Sequence, residues 1–387
     1  MKNRYTDAKS VACTSPGALP PLPVIDWSKV GQSAPTNVDI GNPDKNAPLP
    51  KVDIVVMTWT DTEWNALDHV FVSSDKEAYV SSDEFRKGWF LRSNDEYVKG
   101  AYNLWGFYRV VSIQNAAGVD LKVLLWKSDA HLSHPPYADG LIAMVHFVLK
   151  EASPQRLYSI GTAGGATISE KLGDAAITNT GKIKLKLPEN TDSGLNDKTV
   201  ACTNWYPDLS MNSIIEKNLL FKLSSVVTRP YLEYLLCQAI YDSDKGNPDW
   251  AGQFTVADMM NAALEDLGSP KGLDKKGIPL LTTDYYFISD GDDTAQYSAL
   301  EMDDAVVGYA AGEYHVDYVF VRNMSDTVIP TQTPSGKSIP QELRENWSSE
   351  IYEHYGFYTS MNGALLTWGT IAADTELKGT TATGKGK

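Results

Sequence analysis

Short apolar, β-branched runs alternate along the chain with longer segments of helical period. The runs fall at 52–57, 122–126, 156–160, 175–178, 279–283 and 316–321; the helical segments fall at 137–151, 230–242, 255–267, 301–313 and 343–372. Nearly continuous apolar strands are what a sheet covered on both faces requires, and their alternation with helices predicts an α/β fold built on a largely buried sheet. Residues 184–278 interrupt the alternation with a stretch rich in Asn, Asp and Gly followed by helix, which reads as an insertion packed on the outside or forming a lid. Residues 1–50 hold eight of the 20 prolines and no sustained apolar period, as an extended arm or linker would. Residues 375–387 carry one large apolar side chain and are expected to fray. The length allows two to three domains, or one large α/β domain over 51–374 with insertions.

Charge narrows the function classes. The 387 residues carry 49 Asp and Glu against 34 Lys and Arg, a net −15, so no basic surface for nucleic acid is expected. No run approaches the ~20 apolar residues of a membrane helix, and the first residues lack the apolar core of a secretory signal. A cytoplasmic protein is the expectation. Cys13, Cys202 and Cys237 are far apart with no C-x-x-C pair, and read as reduced thiols.

In open α/β sheets ligands gather beyond the carboxyl ends of strands. Four polar or glycine-rich clusters sit there: Thr60 to Glu63, Gly161 to Gly165, Asp284 to Phe287, and Asn323 to Asp326. A fifth, Glu301 to Asp304, opens the helix before the last of these strands. Each residue also has a structural alternative. Glu63, Glu301, Asp303 and Asp304 suit the first turn of a helix, Gly161 to Gly165 suit a tight turn, Asp326 suits an N-cap, and the aromatic trio suits a strand surface. Sharper motifs fail. Ser335-Gly336-Lys337-Ser338 imitates the end of a P-loop but has Thr331 where the first glycine belongs, and no G-x-S-x-G elbow occurs. Asp129-x-His131-x-x-His134 lacks a fourth ligand nearby, so no metal is called for.

The residues in these clusters carry a resemblance. KVDIVVMTWTDTEWNAL, RLYSIGTAGG with LGDAAITNTG, and LEMDDAVVGYAAGEYHVDYVFVRNMSD resemble, in order, segments of the purine/uridine phosphorylase and nucleosidase superfamily, in particular nucleosidases of the methylthioadenosine/S-adenosylhomocysteine type. The 23 residues from Asp303 to Asp326 match the family spacing without a gap. The resemblance implies one nucleoside-phosphorylase-like α/β domain with a central mixed, twisted sheet and a helical insertion. It implies Asp326 as general acid toward N7 of a purine with Ser325 beside it, and Glu63 as the group that activates water. It further implies Asp303 on the ribose hydroxyls, Met302 under the sugar, Glu301 in support, and Thr162, Ala163 and Gly164 along the water and ribose side. Tyr286 and Phe287 would stack on the base.

The implied activity is hydrolysis of the N-glycosidic bond of a purine nucleoside or 5′-modified adenosine, without cofactor or metal, by a homodimer or a larger ring of dimers. The partner is a small-molecule nucleoside, not nucleic acid or membrane. Two departures matter: Ser159 stands where the phosphorylases carry a phosphate-binding arginine, and Asp303 stands where the family has Glu. The first favours water as nucleophile. A phosphorylase recruiting Arg86, Arg92, Arg109 or Arg156, and a nucleoside-binding module without turnover, remain the alternatives.

Overall fold

The computed structural model describes residues 13, 15–74, 87–93, 104–247, 249 and 252–379. Its strands are β1 Thr36–Asn37, β2 Ile54–Thr58, β3 Phe90–Ser93, β4 Leu104–Gln114, β5 Asp120–Ser128, β6 Arg156–Gly164, β7 Ala175–Thr178, β8 Thr180–Lys184, β9 Thr199–Ala201, β10 Gly272–Asp274, β11 Leu280–Thr283, β12 Leu300–Glu301 and β13 Asp317–Asp326. The helices that matter below are α1 Asp61–Phe71, α2 Tyr137–Ala152, α3 Arg229–Gly246, α4 Val256–Glu265, α5 Asp304–Glu313 and α6 Gln341–Ala373.

The centre is parallel. β6 takes β2 on one side and β13 along its whole length on the other, and β2 in turn pairs with β5. All five residues of β2 are buried, which fits a strand covered on both faces. Around this centre the sheet is mixed: β4 runs antiparallel to β5, β7 antiparallel to β13, and β12 antiparallel to β6. The α/β expectation with a central mixed sheet flanked by helices is what the chain adopts. Every apolar run picked out in the sequence overlaps a strand, whereas β3 and β4, at 90–114, were not anticipated. Their burial comes from packing against β5 and the neighbouring core rather than from a periodic signal.

Three expectations about the periphery need correction. Residues 15–50 are not a free linker: Leu22, Ile25, Val30 and Leu49 are buried, β1 pairs with β4, and Trp27 lies 4.4 Å from the ring of Trp368. The apolar residues there are irregularly spaced, so no period announces them. Residues 1–12 and 14 lie outside the described residues. The tail is ordered as far as 379, because Leu377, its one large apolar side chain, is buried and Glu376 pairs with Arg156 at 3.2 Å; residues 380–387 lie outside the described residues. The segment 184–278 is woven into the body: β10 extends the sheet beside β7, and the leucines 232, 235 and 236 of α3 pack with Trp347 and Ile351 of α6. Hydrophobic burial against the core anchors it, which a lid able to open would have to break.

Cysteine pairing also departs from expectation. Cys13 and Cys237 form a disulfide with Cα atoms 5.6 Å apart, tying the N-terminal segment to α3, while Cys202 is free and buried. The two lie 224 residues apart, so sequence spacing carried no hint. The bond overturns the expectation of reduced thiols at Cys13 and Cys237. Thiol titration of the denatured, unreduced protein is expected to find one thiol, that of Cys202; a count of three would rule the bond out. Its reduction should lower stability by about 2–5 kcal/mol in a denaturant titration. No helix among the described residues is long and apolar enough to cross a membrane.

Candidate active site

The carboxyl ends of β2, β5, β6, β11 and β13, the start of α1 and the first half of α6 enclose a cavity of about 570 Å³. That is within the ~300–1,000 Å³ of small-molecule sites. Its walls include Glu63, Thr162, Ala163, Gly164, Tyr286, Phe287, Glu301, Met302, Asp303, Ser325 and Asp326, so every site residue expected from the sequence faces one space.

Glu63 arrives there through the start of α1. Thr60 caps the helix and receives the Glu63 N–H, and Glu63 Oε2 accepts in return from the Thr60 N–H at 2.9 Å, a reciprocal capping box. The helix-capping alternative is therefore real for this residue. It does not exhaust it: Oε1 reaches across to β6, where the Thr162 N–H and hydroxyl both donate at 2.7 Å. With Trp59 N–H at 3.0 Å and the Thr58 hydroxyl at 3.2 Å on Oε2, five donors converge on this carboxylate.

The glycines of β6 serve close approach rather than a turn. Residues 161–164 continue the strand without positive φ. A Cβ on Gly161 would stand 2.6 Å from Arg322 Nη1 and 2.7 Å from Glu63 Oε1, and one on Gly164 would stand 3.1 Å from Asp326 Oδ2. A side chain at Gly161 would displace Arg322 or Glu63, and one at Gly164 would press on Asp326.

Asp326 ends β13 and is no N-cap. Its Oδ1 accepts from the Ser325 hydroxyl at 3.0 Å and its Oδ2 from the Ser348 hydroxyl at 2.9 Å. Burial nevertheless wins over the two hydroxyl donors and raises its pKa above the ordinary carboxylate range. The Tyr286 hydroxyl meets Ser348 in turn, while the residue as a whole is 54% exposed at the cavity's rim beside Phe287.

A buried charge cluster borders the cavity. Arg322 donates to both oxygens of Asp304, at 2.5 and 2.8 Å, lies 3.2 Å from Glu301 Oε2 and donates to the Thr162 carbonyl at 3.0 Å. Glu301 caps α5 by accepting from the Asp303 and Asp304 N–H groups at 2.7 and 2.8 Å. Its own burial, and the Asp304 charge beside it, push its pKa up despite Arg322. The Ser159 hydroxyl also donates to Asp304.

Asp303 is engaged by its own chain. His131 Nδ1 lies 3.1 Å from its Oδ2, and the Leu132 N–H donates to Oδ1 at 2.9 Å. Burial would raise its pKa, but His131 and the Leu132 N–H more than offset that and hold it below the usual value. His131 is driven the opposite way: burial opposes its charge, Asp303 outweighs burial, and the imidazole pKa is raised.

Sequence reading weighed His131 only as a metal ligand and passed over Arg322, Trp59, Ser348, Ser349 and Tyr352, although all six border or support the cavity. The positional rule applies to His131, just beyond the carboxyl end of β5. Arg322 directly follows an apolar run, and the serines and Tyr352 on a long helix distant in sequence carried no signal. Arg92, Arg109 and Arg156 are spent elsewhere, on Glu151, on Asn37 and the Lys87 carbonyl, and on Asp317; Arg86 lies outside the described residues.

No protein-family model and no curated protein matches the sequence. The chain is similar to solved nucleosidases. The 5′-methylthioadenosine/S-adenosylhomocysteine nucleosidase of Neisseria meningitidis, solved with methylthio-immucillin-A, is 11% identical with a TM-score of 0.42, over 83% of this chain and 98% of that one. Futalosine hydrolase of Helicobacter pylori is 10% identical with a TM-score of 0.41, over 83% and 97%. The 5′-methylthioadenosine nucleosidase of Arabidopsis thaliana is 14% identical with a TM-score of 0.40, over 83% and 95%. Likenesses of this degree carry no argument about chemistry, which the residues of the cavity have to supply.

Proposed function

We propose that this chain hydrolyses the N-glycosidic bond of a purine nucleoside or 5′-modified adenosine. The observation that carries the reading is the pairing, on one cavity, of a buried acid whose pKa is raised, Asp326, with a second carboxylate, Glu63, on which five donors converge. As the C1′–N9 bond breaks, its electrons pass to the base and positive charge develops on the ribose. Asp326 gives its proton to N7 of the departing base. Water adds to C1′ and its proton passes to Glu63. Carboxylates near the sugar and an acid near the base both favour that transition state. Tyr286 and Phe287 offer aromatic faces for the base.

Water suits this site better than phosphate. Glu63, Glu301, Asp303 and Asp326 border the cavity, while Arg322 is already committed to Asp304, Glu301 and the Thr162 carbonyl. Among the described residues an incoming phosphate would meet carboxylates and no free bidentate cation, and such pairs are what hold phosphate.

Base release from adenosine, inosine, guanosine, uridine, methylthioadenosine and S-adenosylhomocysteine, measured without phosphate and with millimolar phosphate, tests this. Release from a purine substrate that is indifferent to phosphate is expected. Release only with phosphate would make the protein a phosphorylase, and saturable binding without release would make it a binding module.

A further inference from the structure

His131 is held on one nitrogen and open on the other. Its Nδ1 faces Asp303 Oδ2 at 3.1 Å, while Nε2 has no hydrogen-bond partner among the described residues. The ring is kept in place by Trp59 and His134, with centroids 5.6 and 4.8 Å away, and all of these side chains line the cavity. Asp303 for its part has both oxygens turned to protein donors, and is one methylene shorter than a glutamate at the same place would be. A carboxylate so engaged orients the imidazole, and the imidazole's outer edge becomes the group presented to a ligand.

We propose that His131, oriented by Asp303, is a specificity residue of this cavity: its Nε2–H donates to an oxygen on the sugar side of the substrate, either a ribose hydroxyl or an anionic oxygen at the 5′ position. The inference rests on the nucleosidase reading above and deepens it.

The sign of its pH dependence follows from the tautomer. While Nδ1–H is given to Asp303, Nε2 carries a proton only in the imidazolium form, so the contact is present at low pH and lost as pH rises through the His131 pKa. Asp303 and Glu63 favour that charged form; burial and Lys127 oppose it. Asp129 pairs with Lys127 at 3.7 Å, and His134 is held toward its neutral form by burial and by His131 itself.

The test is base release by the wild-type protein and by His131→Asn and His131→Gln, from adenosine, its 2′-, 3′- and 5′-deoxy analogues, and adenosine 5′-monophosphate. Asn can keep the contact to Asp303 but loses the outer donor; Gln can keep the outer donor but cannot titrate. The wild type is expected to prefer the substrate bearing the recognised oxygen over its analogue by about tenfold to a hundredfold in kcat/KM, expressed chiefly in KM, in the range of hydrogen bonds to charged groups. The preferred analogue says which oxygen it is, with preference for the monophosphate indicating an anionic group. His131→Asn should abolish the preference, and His131→Gln should keep part of it without pH dependence. Full preference in His131→Asn, or a wild-type preference independent of pH, would overturn the proposal. Should no nucleoside be cleaved, the nucleosidase reading fails by itself; calorimetric binding of the same panel then decides, and equal discrimination by wild type and His131→Asn would again overturn it.

Discussion

Substituting Asp326→Asn is expected to slow base release at least about a hundredfold, the lower bound of what a positioned general acid contributes. The exchange is close to isosteric, and the surroundings accept it: the Ser325 and Ser348 hydroxyls that now donate to Asp326 can turn to accept from an amide. Stability should not suffer. Because burial raises the folded pKa of Asp326 above its unfolded value, its contribution to stability is full below the unfolded pKa and is lost as pH rises through the folded one. A neutral Asn has no such loss, so at neutral pH the variant should melt no earlier than the wild type. The kinetic signature is equally directional. Wild-type turnover should fall as pH rises through the Asp326 pKa, since the proton it gives is gone, and that basic limb should vanish in the variant. An unchanged rate at neutral pH would remove Asp326 from the chemistry.

Glu63→Gln is expected to lower turnover by about a hundredfold to ten-thousandfold, as loss of a general base does, and here stability moves as well. Five donors converge on the two oxygens, and three of them, the N–H groups of Trp59, Thr60 and Thr162, belong to the backbone and cannot rotate away. Whichever way the amide is turned, its NH₂ faces at least one fixed donor. The stranded donors should cost about 1–3 kcal/mol in a denaturant titration. The two effects separate experimentally, because a variant that is folded at the assay temperature by circular dichroism yet inactive has lost chemistry. Full activity in a folded Glu63→Gln would exclude the role proposed for Glu63 and leave it as the capping residue of α1 alone.

What was legible in the sequence was local. Runs of β-branched residues marked the buried parallel strands, since a strand covered on both faces can carry little else. Polar residues immediately beyond those strands marked one edge of the sheet, since that is where backbone geometry leaves room for a ligand. Glu63, Thr162, Tyr286 and Asp326 lie in clusters marked this way, Asp303 in the cluster that opens the helix before the last strand, and all five face the same cavity.

What the sequence left open depends on partners distant along the chain. Whether Asp303 faces a sugar directly or holds His131 is decided 172 residues away, by the loop after β5. The Ser348 hydroxyl that reaches Asp326 sits on a helix whose pattern announces only its packing. The disulfide joins residues 224 apart, and the N-terminal segment owes its order to scattered side chains that each find a place in the core. Periodicity and spacing report what one stretch of chain prefers for itself, so they determined the elements and the edge at which the site forms. Hydrogen bonds, ion pairs and burial between remote stretches exist only once the chain has closed, so only the tertiary structure decided which partners hold each of the acids there.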